Sequence, residues 1–238
     1  MHRSGTSLIA RLLSEAGTDL GAHSGLIPGD QWNPDGYYEA SDIVALNSRL
    51  IHGPLGRFAY FCLPTLETLR QRGRHESPQF AALATKYAGK LAKDPRFTLT
   101  AAVWAELSVP IDRIVICIRE PSEVASSLRR RNWIPRMMAL NLWAIHNSRM
   151  LRFIGSRKVC WIHYSHLLTP RNGPNELLRA AQYLGLELSY ESAKRIVQQR
   201  VRVKATGMPT PKRLYSKNIE ALWNTLCERH KVQSEAGL

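Results

Sequence analysis

The sequence predicts an α/β protein, a single doubly wound parallel sheet flanked by helices, and three observations carry that prediction. Residues 113–118 (Arg-Ile-Val-Ile-Cys-Ile) and 159–163 are short, continuous apolar runs, the pattern of strands buried on both faces of a parallel sheet. Segments with helical apolar spacing alternate with those runs, as βα units require. Between residues 3 and 7 a Ser/Gly/Thr-rich loop feeds straight into a helical pattern. Met1 lies only two positions before that loop, so the sheet is expected to lack its first strand.

Taken in order, residues 4–16 read as a helix with Leu8, Ile9, Leu12, Leu13 and Ala16 on one face, Ser4 as its N-cap and Gly17 beyond its end. Residues 21–36 are loop, with the turn signal Asn33-Pro34-Asp35-Gly36. A helical period resumes over 37–51, where Ile43, Val44, Leu46, Leu50 and Ile51 face inward and Glu39 falls in the first turn. Residues 53–63 are irregular and aromatic, and helices follow at about 65–71 and 78–88. A short extended piece at 90–93 closes on Lys93-Asp94-Pro95-Arg96, before a helix at 98–107. The strand 113–118 ends at Arg119, and Pro121 opens the next helix, a position where proline is tolerated. A long helix covers 136–153, a second strand 159–163, and helices follow at 175–184, 190–199 and 217–229. Residues 201–213, with two prolines and four basic side chains, form the stretch expected to be mobile. One domain over 1–238 is expected, its 201–238 portion being a basic segment and a helix.

Composition narrows the function. Thirty-three Lys and Arg against 19 Asp and Glu leave a net charge of +14, a field that attracts polyanions and phosphorylated cofactors. The sequence holds no apolar run of about 18 residues, so no membrane span is expected. The N-terminus carries no basic-then-apolar leader, and Cys62, Cys117, Cys160 and Cys227 form no C-x-x-C pair. A cytoplasmic location with buried, reduced thiols is the expectation, and no metal site is expected at His163-x-x-His166, the one close histidine pair.

The chemistry-bearing residues fall in three groups. Arg3-Ser4-Gly5-Thr6-Ser7 at a helix N-terminus make an anion cradle, because the orphan amides and the helix dipole favour negative charge. Lys93-Asp94-Pro95-Arg96 is the second group, and Arg119 with Ser127 the third. In open α/β sheets all three would lie beyond the carboxyl ends of the strands, where ligands bind.

In that order the groups resemble sulfotransferases that use 3′-phosphoadenosine 5′-phosphosulfate, most closely the bacterial branch. Asn33-Pro34-x-Gly36-Tyr37-Tyr38-Glu39, the run 159–168 and Gly185-Leu186 extend the likeness over roughly residues 1–190. The resemblance implies that Arg3, Ser4, Gly5, Thr6 and Ser7 bind the donor's 5′-phosphosulfate and that Arg119 and Ser127 hold its 3′-phosphate. Lys93 is implied to steady the transferring sulfuryl group. Glu39 leads as the base, with His23 behind it and Asp42 third. The implied co-substrate is that nucleotide without a metal, and the acceptor is a hydroxyl, by analogy on a saccharide or glycolipid. Segments 21–36, 53–63 and 201–213 would shape the acceptor pocket. Three other readings stay open: a P-loop kinase or other nucleotide-binding enzyme, a truncated inactive relative, and a nucleic-acid-binding protein. Thr6 stands where a Walker lysine would follow Gly5, and Arg119 where a Walker-B Asp would end the strand, which counts against the first.

Overall fold

The computed structural model describes residues 1–53, 56, 63–107, 109–201 and 215–236. Contacts within the chain gather into two compact units, Asp19–Asp112 and a larger one made of Met1–Thr18 with Arg113–Leu238.

The larger unit opens with helix α1 (Thr6–Glu15). Strand β1 (Val115–Ile118) and strand β2 (Cys160–His163) pair in parallel, Val115 opposite Cys160 and Ile118 opposite His163. The crossover between them is two helices, α6 (Pro121–Asn132) and α7 (Arg136–Ile154), packed against each other. After β2 come a single helical turn α8 (Tyr164–Leu167), then α9 (Gly173–Leu184), α10 (Tyr190–Arg200) and α11 (Lys217–Glu235). Helices α9 and α11 lie against β2, and α1 packs on β1, α9 and α10. The sheet thus has helical cover, and Ile116, Ile118, Trp161 and Ile162 are buried in it. Capping follows the sequence: Pro121 occupies the first turn of α6 while Glu120 accepts a hydrogen bond from the Glu123 amide, and Gly185 ends α9 in left-handed backbone.

The smaller unit is helical. Helices α2 (Ser41–His52), α3 (Leu66–His75), α4 (Ser77–Lys86) and α5 (Phe97–Glu106) surround a core that includes Leu46, Leu50, Leu69, Phe80, Val103 and Trp104. The Phe80 and Trp104 rings meet edge-on, 4.6 Å between centroids. Where α3 meets α5, Gly73 lets the backbones close: a Cβ there would stand 2.4 Å from a Val103 methyl.

Mixed α/β architecture with a parallel pair is therefore present, but the wider doubly wound sheet is not seen among the described residues, where the sheet has two strands. The extended piece at 90–93 forms no ladder; the Leu91 amide donates to the Asp19 carbonyl, and Lys93 turns to hydrogen-bond elsewhere. Only Leu91 and Ala92 in it are apolar, too few to cover two faces of a strand. Two further expectations are corrected. The N-cap of α1 is Gly5, not Ser4, because Gly5 takes the left-handed conformation (φ 90°) that turns the chain into the helix. Glu39 precedes α2 rather than opening it: its carbonyl accepts from the Ile27 amide, and Ala40 bridges Leu26 in antiparallel fashion, which holds the segment extended until Ser41. Of the 201–213 stretch expected to be mobile, residues 202–213 lie outside the described residues, as does most of 53–63.

Candidate functional site: an anion cradle and a buried Lys–Glu pair

In the larger unit the loop before α1 is built from left-handed backbone at Arg3 (φ 66°) and Gly5 (φ 90°). No side chain caps the helix, and its first turn holds no acid. Glycine at the N-cap brings no side-chain oxygen of its own, so the first turn of α1 presents positive partial charge toward the loop. The loop is fixed from β1 and from the segments that follow both strands. The Cys117 thiol donates to the Ser4 carbonyl across 3.1 Å. Burial pushes that thiol's pKa up to about 12, so it stays protonated and serves as a donor. Tyr164, directly after β2, packs its ring against Gly5 so closely that a Cβ there would come within 2.1 Å of the ring.

Arg3, Arg119 and Ser127 meet at this loop. Arg3 Nε donates to Ser127 Oγ at 2.8 Å, and Arg119 Nη1 donates to the Arg3 carbonyl at 3.0 Å. Ser127, two turns into α6, is buried, so its hydroxyl is held on the inner side of that helix. Arg119 itself is braced three ways. Its Nε donates to Glu123 at 2.9 Å, its guanidinium lies 4.1 Å over the Tyr164 ring, and its carbonyl accepts from the Trp143 indole at 3.2 Å. Three of these partners, Glu123, Tyr164 and Trp143, had no functional role in the sequence reading; the (i, i+4) spacing of Arg119 and Glu123 on the start of a helix was the available signal for one of them.

In the smaller unit Lys93 and Glu39 form a buried ion pair, Nζ to Oε1 at 2.5 Å, with Nζ also donating to the Tyr37 carbonyl at 2.9 Å. Arg96 reaches the other Glu39 oxygen at 3.5 Å and Asp94 at 2.9 Å. Burial lowers the Lys93 pKa, more than the neighbouring Glu39 charge raises it. Asp94 is held from behind: Asn47 Nδ2 donates to its Oδ2 at 2.9 Å, while Asn47 Oδ1 accepts from Thr100 and from the Trp104 indole. Asp94 thus positions Arg96, and Glu39 sits between two cations. His23 lies exposed in a 3-10 turn (His23–Gly25), and among the described residues its side chain makes no hydrogen bond or ion pair. Asp42 is taken by Lys86 at 2.6 Å and Tyr87 at 2.9 Å. Burial would raise its pKa, but those hydrogen bonds outweigh it and hold the carboxyl low.

One further titratable cluster stands in the larger unit. Glu176 Oε1 is 2.7 Å from His230 Nε2 and 3.5 Å from His166 Nδ1, and Oε2 accepts from Arg179 and from the His163 amide. These three donor atoms lie within 4.8 Å of one another, close enough to suit a metal ion. The Arg179 guanidinium, however, already neutralises the one carboxylate and lies 3.3 Å from His230 Nε2, where it would repel a dication. Against burial, which pushes it up, the His166 and His230 contacts and the Arg179 charge hold the Glu176 pKa at about 2. Among the described residues no helix is long and apolar enough to cross a membrane. Compared with known proteins, the chain matches no family model, no curated protein and no solved structure.

Proposed function

We propose that the protein is a sulfotransferase that moves the sulfuryl group of 3′-phosphoadenosine 5′-phosphosulfate onto an acceptor hydroxyl. The observation that carries this reading is the meeting of Arg3, Arg119 and Ser127 beside the uncapped, acid-free N-terminus of α1. Orphan amides, a helix dipole and two guanidinium groups suit a dianionic phosphate or a phosphosulfate. In the reaction the acceptor oxygen attacks sulfur, the bond from sulfur to the bridging phosphate oxygen breaks, and adenosine 3′,5′-bisphosphate leaves. The acceptor proton passes to a base, for which Glu39 is first and His23 second. Negative charge builds on the bridging oxygen, and the resemblance assigns its stabilisation to an ammonium, that of Lys93. Its buried pairing with Glu39 supplies a fixed orientation for that ammonium and a carboxylate beside it.

Two titrations test the proposal. Calorimetry should show adenosine 3′,5′-bisphosphate binding more tightly than ATP, and Arg119→Ala should weaken the former by about 30-fold, the worth of one charge-assisted hydrogen bond. Lys93→Ala should leave that affinity within about threefold yet lower turnover by about 100-fold or more. Preference for ATP, or affinity untouched by Arg119→Ala, would overturn the reading.

A further inference from the structure

The turn between α6 and α7 is built against local preference. Trp133, the C-cap of α6, takes left-handed backbone (φ 56°), with its amide donating to the Arg129 carbonyl at 3.0 Å. Glycine or asparagine fills that conformation with little strain, whereas a bulky aromatic residue is strained in it. Nor does packing explain the tryptophan, since 89 % of it is exposed. Met137, the second residue of α7, is 64 % exposed, and Ile134 between them is half-buried. Beside these apolar groups stand Arg129 and Arg130, both exposed and without an ion-pair partner among the described residues, with Arg131 and Arg136 half-buried. A helix C-terminus favours cations, which accounts for arginines there but not for the bare indole.

The surrounding charge is of one sign. From residue 124 to residue 175 the sequence contains no Asp or Glu, yet nine Lys and Arg. A second copy of a +14 chain would meet the same positive surface and be repelled. A nucleic acid would use Trp133 for stacking but gain nothing from Met137 and Ile134. An apolar tip of Trp, Ile and Met rimmed by arginines instead matches the boundary between phosphate headgroups and acyl chains.

We propose that the α6–α7 turn docks the protein on an anionic bilayer surface, with Trp133 and Met137 entering the headgroup boundary and Arg129 and Arg130 facing lipid phosphates. Co-sedimentation with vesicles tests this. The protein should pellet with phosphatidylcholine vesicles containing phosphatidylglycerol, weakly with phosphatidylcholine alone, and less as salt rises. Arg129→Ala with Arg130→Ala should weaken binding to the anionic vesicles by roughly thirtyfold. Trp133→Asn should cut it about tenfold while the thermal midpoint stays level or rises, since asparagine accepts the left-handed backbone. Affinity for adenosine 3′,5′-bisphosphate should be unchanged in both variants. Equal binding to both vesicle types, wild-type vesicle binding by Trp133→Asn, or loss of oligonucleotide rather than vesicle binding on removing Trp133 would each overturn the proposal.

Discussion

Gly5 shows how much one residue decides. Its left-handed backbone turns the loop into α1, and its missing side chain admits the Tyr164 ring. Gly5→Ala should therefore destabilise the protein by about 2–3 kcal/mol in urea denaturation, from strained backbone and overpacking together. In a Tyr164→Ala background the added cost of Gly5→Ala should fall to about 1 kcal/mol, the backbone part alone. Glu123 is the second decisive residue. It holds Arg119 at 2.9 Å, so the guanidinium is already paired to a carboxylate. On the sulfotransferase reading Glu123→Gln should tighten binding of adenosine 3′,5′-bisphosphate about fivefold, because a like charge leaves the site. Weaker binding would mean that Glu123 serves chiefly to aim Arg119.

Elements in the smaller unit are joined by polar pins as well as by apolar packing. Asn47, fully buried on α2, ties Asp94 to Thr100 and Trp104 on α5. Asn47→Ala should cost about 3 kcal/mol in urea denaturation, since it strands the Trp104 indole and Asp94 Oδ2 away from water. The same change should disturb Arg96, whose guanidinium depends on Asp94. A cost below about 1 kcal/mol would show that solvent reaches these groups. Helical elements were largely legible from apolar period: α2, α5, α7, α9 and α10 lie within a few residues of the expected spans. The start of α2 was misjudged because Glu39 suits a first turn by charge, whereas the bridge of Ala40 to Leu26 is a long-range contact that periodicity does not register.

Across the whole molecule, burial of histidines makes the larger unit acid-sensitive. Burial, aided by the charges of His166 and His230, lowers the His163 pKa to about 4, and burial lowers that of His146 well below 6.5. Above pH 6.5 both states hold these rings neutral. As pH falls below 6.5 the unfolded chain takes up protons that the folded one refuses, so stability drops until the folded His163 titrates near 4. Glu176, held at about 2, adds a second loss in the same direction below pH 4.5. Urea midpoints should fall steadily from pH 7 to pH 4, His163 accounting for at most about 3 kcal/mol. His163→Gln should flatten the upper part of that slope; an unchanged slope would assign it to His146.

By itself the sequence determined the local matters: helices from a 3.6-residue apolar period, two strands from short apolar runs, and a loop of small residues entering a helix. It also put Arg119 at a strand end with Ser127 two helical turns on, a matter of counting. Only the tertiary structure decided that the Arg3 side chain meets Ser127, that Glu123 and Tyr164 brace Arg119, and that Lys93 is buried against Glu39. Those contacts join residues as far as 124 positions apart, and the energy that selects among partners at that range comes from packing and desolvation. Neither propensity nor spacing carries that term, so the chain shows it only once folded.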